Sequence, residues 1–162
     1  WTVSFPEKLC APARIELAKL ESLTANAHAG VKFFSGTATY TKTVTAPREW
    51  FKPGAATFLD LGRVGDIAEV SINGRALGQL WKAPYRIDVT SALQPGENKI
   101  EIKVTNQWTN RLAGDASLPA DQKILTYAPA APGGRGGGGG RGGAAPLPES
   151  GLIGPVTVAL RQ

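Results

Sequence analysis

Methionine is absent from the 162-residue chain, and cysteine and histidine occur once each, as Cys10 and His28. One thiol cannot close a disulfide within the chain or build a metal site alone. Cys10 is therefore expected to be a bland, buried structural thiol. His28, in NAHAG, has no cysteine or carboxylate beside it at metal-ligand spacing and is expected to be a solvated loop histidine. Long apolar runs are also missing. None approaches the roughly 20 residues that cross a bilayer, and no basic-then-apolar leader opens the chain, so no membrane partner is expected. A start at Trp1 with no methionine anywhere reads as a mature fragment or a module excised from a longer protein.

Charge of one sign is scarcer than the net value of +5 suggests. Arg135 and Arg141 lie inside GGRGGGGGRGG, and setting them aside leaves 16 basic against 13 acidic residues. Nine of the 20 glycines fall between Gly133 and Gly143, flanked by APAAP and AAPLP. Such a stretch buries too little apolar area to offset its chain entropy, so residues 128–148 are expected to form a disordered, flexible Gly/Ala/Pro-rich loop. An arginine-glycine RNA-binding box would need more arginines and aromatics for base stacking. No nucleic-acid partner is expected.

What is present has period two. GTATYTKTVT, from Gly36 to Thr45, is rich in β-branched residues. Thr57, Leu59 and Leu61 oppose Phe58 and Asp60, and a strand centred on Ala68, Val70 and Ile72 runs into Asn73-Gly74, which suits a type I′ hairpin because both positions accept positive φ. The partner strand starts near Arg75. Tyr85, Ile87 and Val89 alternate with polar neighbours, as do Ile100, Ile102 and Val104 after the SALQPGEN turn, and Val156, Val158 and Leu160 at the close. Ile15, Leu17 and Lys19 also read as a strand. The closing strand makes the Gly-rich stretch an insertion within one domain, 1–162. With 42 % hydrophobic residues the chain can fill one core. Short strands, Gly/Pro/Asn turns and no long helix predict an all-β fold, an antiparallel two-sheet β-sandwich of the jelly-roll kind. The sets Val70/Ile72, Tyr85/Ile87/Val89, Ile100/Ile102/Val104 and Val156/Val158 are its expected inward faces.

The segments FFSGTATYTKTV and LDLGRVGDIAEVSINGRALGQLWKAPYRIDVTSALQPGENKIEIKVTN resemble the sugar-binding jelly roll of family 2 glycoside hydrolases, a galactose-binding-like domain. With WTVSFP, NQWTNRLAGD and SGLIGPVTVAL added, the pattern is similar to the C-terminal β-sandwich of large bacterial α-L-rhamnosidases. The resemblance implies a non-catalytic accessory domain of a secreted or periplasmic glycoside hydrolase; a monomer with no cofactor is expected. Sandwiches of this type often carry a structural calcium, although the chain has no DxDxDG loop to locate one.

Residue chemistry is consistent with a non-catalytic role. Glycoside hydrolysis usually needs two facing carboxyls about 5 to 9.5 Å apart. Here the acidic residues fall mostly on solvent-facing strand positions or in turns. Ser35 and Ser150 lack a GxSxG setting, and GRVGD lacks the strand-to-helix context of a phosphate cradle. Carbohydrate binding needs an aromatic face for a pyranose and planar polar groups for its hydroxyls. Two loops offer these: GQLWKAPYR, with Gln79, Trp81, Lys82 and Tyr85, and NQWTNRLAGD, with Asn106, Gln107, Trp108, Asn110, Arg111 and Asp115. Gln79, Trp81, Tyr85, Trp108, Asn110, Arg111 and Asp115 form the candidate sugar site, and Trp50 is a weaker third aromatic. Other roles compete at each position. Trp81 suits an interface equally well; Trp108 could plug the sandwich end with its indole N–H on a backbone acceptor; an Arg111–Asp115 bridge could order the loop. The partner is then either a polysaccharide or oligosaccharide, or the catalytic domain of the parent enzyme.

Overall fold

The computed structural model describes residues 1–7, 9–125 and 146–161. Of the stretch expected to be a disordered loop, 128–145 lies outside the described residues.

The longest ladder pairs β3 (Thr37–Ala46) with β9 (Gly96–Thr105), from Thr37 opposite Thr105 to Ala46 opposite Gly96. Around it form β1 (Thr2–Ser4), β2 (Arg14–Glu16), β6 (Ile67–Ile72) and β7 (Arg75–Leu80), giving an antiparallel sheet in the order β2-β1-β3-β9-β6-β7. Because side chains alternate across a strand, residues in register share a face. Tyr40, Ile102 and Val70 make one inward row, and Ala38, Val104 and Ala68 the next; all six are at most 2 % exposed. The hairpin between β6 and β7 turns on Asn73 (φ 52°) and Gly74 (φ 80°), the two positive values a type I′ turn demands.

The facing layer is built from β4 (Ala56–Asp60), β5 (Arg63–Gly65), β8 (Arg86–Asp88), β10 (Gly151–Gly154) and β11 (Thr157–Arg161). Its strands pair as β11-β4-β8 and as β10-β5, so the chain beyond residue 145 returns to the same layers. Leu59, Leu61, Val89 and Leu152 cover the inward rows, each at most 1 % exposed and each contributing on the order of 1.5–3 kcal/mol by leaving water. Tyr85, Ile87, Val156 and Val158 pack against this core while staying half-buried. Burial pushes the Tyr40 phenol up to about 12, against a smaller lowering pull from the Leu152 backbone.

The fold is an all-β antiparallel sandwich, as the alternation predicts. Three local expectations change. NQWTNRLAGD is not a loop, because α2 spans Thr109–Ala116, following the single-turn α1 (Ala29–Lys32). Cys10 is exposed, at φ 60°, rather than buried. Its carbonyl lies against Gly30, where an added Cβ would come within 1.9 Å, so this turn is spaced by a glycine and leaves the thiol outside. His28 is exposed as expected but has a local task, since its Nδ1 accepts the Gly30 N–H at 3.1 Å and caps α1.

Candidate functional site

The segment after β7 leaves the sheet at Leu80 and returns at Tyr85, whose carbonyl accepts the Leu61 N–H at 2.8 Å. Trp81 stands out from this loop, 69 % exposed, with the Lys82 ammonium 5.1 Å from its ring centroid. Tyr85 turns inward, and its hydroxyl donates to the Asp66 carbonyl at 2.7 Å. The Asp66 carboxylate in turn accepts the Gln107 backbone N–H at 3.1 Å and its amide Nε2 at 3.3 Å. Asp66 therefore fastens the Trp81–Tyr85 loop to the segment entering α2. Gln79 takes no part, for its amide donates to Glu69 across the β6–β7 ladder at 3.2 Å, on the outer face of the sheet.

The helix α2 is amphipathic in the reverse sense. Asn110, Arg111, Gly114 and Asp115 lie on one face at helical spacing and are buried, whereas Trp108 (46 % exposed) and Leu112 (48 %), four residues apart, face outward. Each buried polar group binds a neighbouring segment. Asn110 Nδ2 donates to the Pro148 carbonyl at 3.1 Å, and the Arg111 backbone N–H donates to Ser35 Oγ at 3.0 Å. The Arg111 guanidinium pairs with Asp115 inside the protein. Asp115 Oδ2 accepts the Leu125 N–H at 3.0 Å. Burial pushes the Asp115 carboxyl up, but the Leu125 N–H, the Arg111 guanidinium and the Ile124 N–H together outweigh it and hold the group below the usual carboxylate value. Gly114 lets the helix touch Phe33, whose Cβ would be 2.7 Å from an added methyl.

The candidate sugar residues thus divide. Trp81 and Trp108 reach solvent at one end of the sandwich. Asn110, Arg111 and Asp115 are turned into the protein, and their hydrogen bonds order α2, the role that competed with ligand contact. Trp108 does not plug the sandwich end; it sits at the N-terminal boundary of α2 with its ring half in water, because the polar face of the helix occupies the interior. Asp66, Ile67 (41 % exposed, opposite Thr105 in the sheet) and Leu112 join this end without a motif that marks them in the sequence. An apolar leucine inside NQWTNRLAGD was the available signal. Trp50 lies apart from these residues, half-buried in a cleft beside Trp1.

Among the described residues no three His, Cys, Asp or Glu side chains come together as a metal set, so they offer no carboxylate cage of the kind calcium takes.

Residues 21–133 match the family described as glycosyl hydrolase 2 galactose-binding domain-like. A Formosa agariphila protein, provisionally named beta-glucuronidase, is 48 % identical over 121 residues, which make up 75 % of this chain and 10 % of that protein. The structure of a rhamnosidase from Novosphingobium sp. PP1Y superposes with a TM-score of 0.84 at 43 % identity, covering 99 % of this chain and 14 % of the rhamnosidase. A Bifidobacterium dentium beta-glucuronidase complexed with coumarin-3-O-glucuronide gives a TM-score of 0.53 at 26 % identity over 65 % of this chain and 19 % of the enzyme. The chain spans a tenth of the length of its curated relative and about a seventh of the rhamnosidase.

Proposed function

The chain belongs to the glycosyl hydrolase 2 galactose-binding domain-like family, and on that premise we propose that it is a non-catalytic accessory domain of a glycoside hydrolase, docked by its Trp81/Trp108 end against the rest of that enzyme. The reversed polarity of α2 carries this reading. A helix that buries Asn110, Arg111 and Asp115 and presents Trp108 and Leu112 to water leaves apolar area uncovered. Ile67 and Trp81 extend it at the same end of the sheet, where Ile67 lies opposite Thr105 and Ala68 opposite Leu80. Exposed apolar clusters of this kind mark interaction surfaces, and the tie at Asp66 keeps this one preorganised. The occupant is the remaining polypeptide of the parent enzyme, since 86 % of the similar rhamnosidase lies outside the span this chain covers. An enzyme of this type acting on external polysaccharide would be secreted or periplasmic.

Introducing Trp81→Asp and Leu112→Asp tests this, because both side chains are exposed. The isolated chain should keep its thermal midpoint, while the longer enzyme carrying the pair should melt earlier and lose contact with the domain in limited proteolysis. An unchanged longer enzyme would refute docking.

A second reading, that the same end holds sugar, is favoured by Trp81, which offers a broad aromatic face with a cation above it. Calorimetric titration with rhamnose-, galactose- and uronate-containing oligosaccharides should then give binding that Trp81→Ala abolishes. No heat and no chemical-shift change at Trp81 with millimolar ligand would exclude it.

A further inference from the structure

At the opposite end of the six-stranded sheet the two layers part. A cleft of about 410 Å³ opens there, walled by Trp1, Trp50, Val44 and Val156 and floored by the core residues Leu59 and Ile100. Across Trp1, Lys42 and Val156 it runs into a second cleft of about 750 Å³, which carries Lys19, Glu21, Arg63 and Glu149. Both volumes fall within the ~300–1,000 Å³ typical of small-molecule sites.

The two lobes ask for different chemistry. In the first, two indoles and aliphatic side chains predominate, and a sugar hydroxyl placed against the core floor would find few partners. The second offers charged donors and acceptors for hydroxyls. Arg63 and Glu149 pair there at 2.8 Å, and Glu21 faces the cleft with Lys19 and Lys42, which leaves one cation in excess. Lys42 stands where the lobes meet, its ammonium 5.5 Å from the Trp1 ring centroid. Among the described residues no carboxylate lies within ion-pair distance of it, which leaves its donors for an ether or hydroxyl oxygen.

We propose that this cleft binds a glycoside with an apolar ring-shaped aglycone: the aglycone between Trp1 and Trp50, the sugar in the second lobe, and Lys42 at the oxygen between them. The first lobe lies at the other end of the sheet from the docking surface, and neither lobe is lined by Ile67, Trp81, Trp108 or Leu112, so the two ideas stand or fall separately.

The test titrates the chain with 4-nitrophenyl β-D-glucopyranoside and, separately, with its halves, 4-nitrophenol and methyl β-D-glucopyranoside. Heats are measured by calorimetry, and the four tryptophan indole N–H resonances are followed by NMR. The glycoside should bind about tenfold or more tightly than either half. The Trp1 and Trp50 indole signals should move while those of Trp81 and Trp108 stay. Trp50→Ala should abolish binding, and Lys42→Ala, at an exposed position, should weaken it several-fold with the fold intact. Affinity no greater than that of 4-nitrophenol would reveal an apolar crevice without a sugar subsite. That result, shifts confined to Trp81 and Trp108, or no binding at millimolar glycoside would each overturn the assignment.

Discussion

Asn98 is fully buried and leaves none of its side-chain hydrogen-bonding capacity unused. Its Nδ2 donates to the Gln94 carbonyl at 2.7 Å and the Gly96 carbonyl at 2.9 Å, while Oδ1 accepts the Gln94 N–H at 3.0 Å and Asn73 Nδ2 at 2.9 Å. One side chain thereby joins the SALQPGEN turn to the Asn73-Gly74 hairpin. Asn98→Ala would orphan these groups and should cost about 1–3 kcal/mol in urea unfolding; a loss under about 0.5 kcal/mol would contradict the account. Asp115 contributes to the acid limb. Its carboxyl lies below the usual value in the folded protein, so the stabilisation it contributes is complete above the unfolded-state value and is lost as pH falls through the folded one. Asp115→Asn leaves the Arg111 guanidinium buried without its partner, which should cost about 3–5 kcal/mol at neutral pH. Variant and native protein should converge once the native carboxyl is protonated. Parallel stability curves across that range would rule out this role. Neither residue announces its burial in the sequence, where PGEN reads as an exposed turn and Arg111/Asp115 as loop charges.

At the scale of elements, β3, β6 and β9 were legible because each buries one face and wets the other, which writes period two into Ala38/Tyr40, Val70/Ile72 and Ile100/Ile102/Val104. The Asn73-Gly74 turn was legible because few other dipeptides accept its backbone. The helix α2 was not. Hydrophobic periodicity assumes an apolar face inward, and here the inward face is Asn110, Arg111, Gly114 and Asp115, held by hydrogen bonds to residues 35, 125 and 148 that are distant in sequence. Its seating depends on the missing side chain at Gly114. Gly114→Ala would drive a methyl to within 2.7 Å of Phe33 Cβ, and should lower stability by about 1–3 kcal/mol despite the better helix propensity of alanine. A rise in thermal midpoint would show that α2 does not pack as described.

The candidate site was half legible for the same reason. Trp81 and Trp108 could be named as aromatics in loop segments, but which polar neighbours accompany them depends on the direction in which α2 faces. The whole molecule carries two distinct surfaces: an exposed apolar end stitched at Asp66, and a cleft between Trp1 and Trp50 at the far end of the sheet. The first suits a neighbouring domain, and the second a small ligand. Hydroxyl-radical footprinting of this chain alone and within the longer glycoside hydrolase tests the docking claim most directly. The account predicts that Trp81, Trp108 and Leu112 are oxidised readily in the isolated chain and protected several-fold in the longer protein, while exposed Leu160 on β11 is not. Equal oxidation of Trp81, Trp108 and Leu112 in both would contradict it.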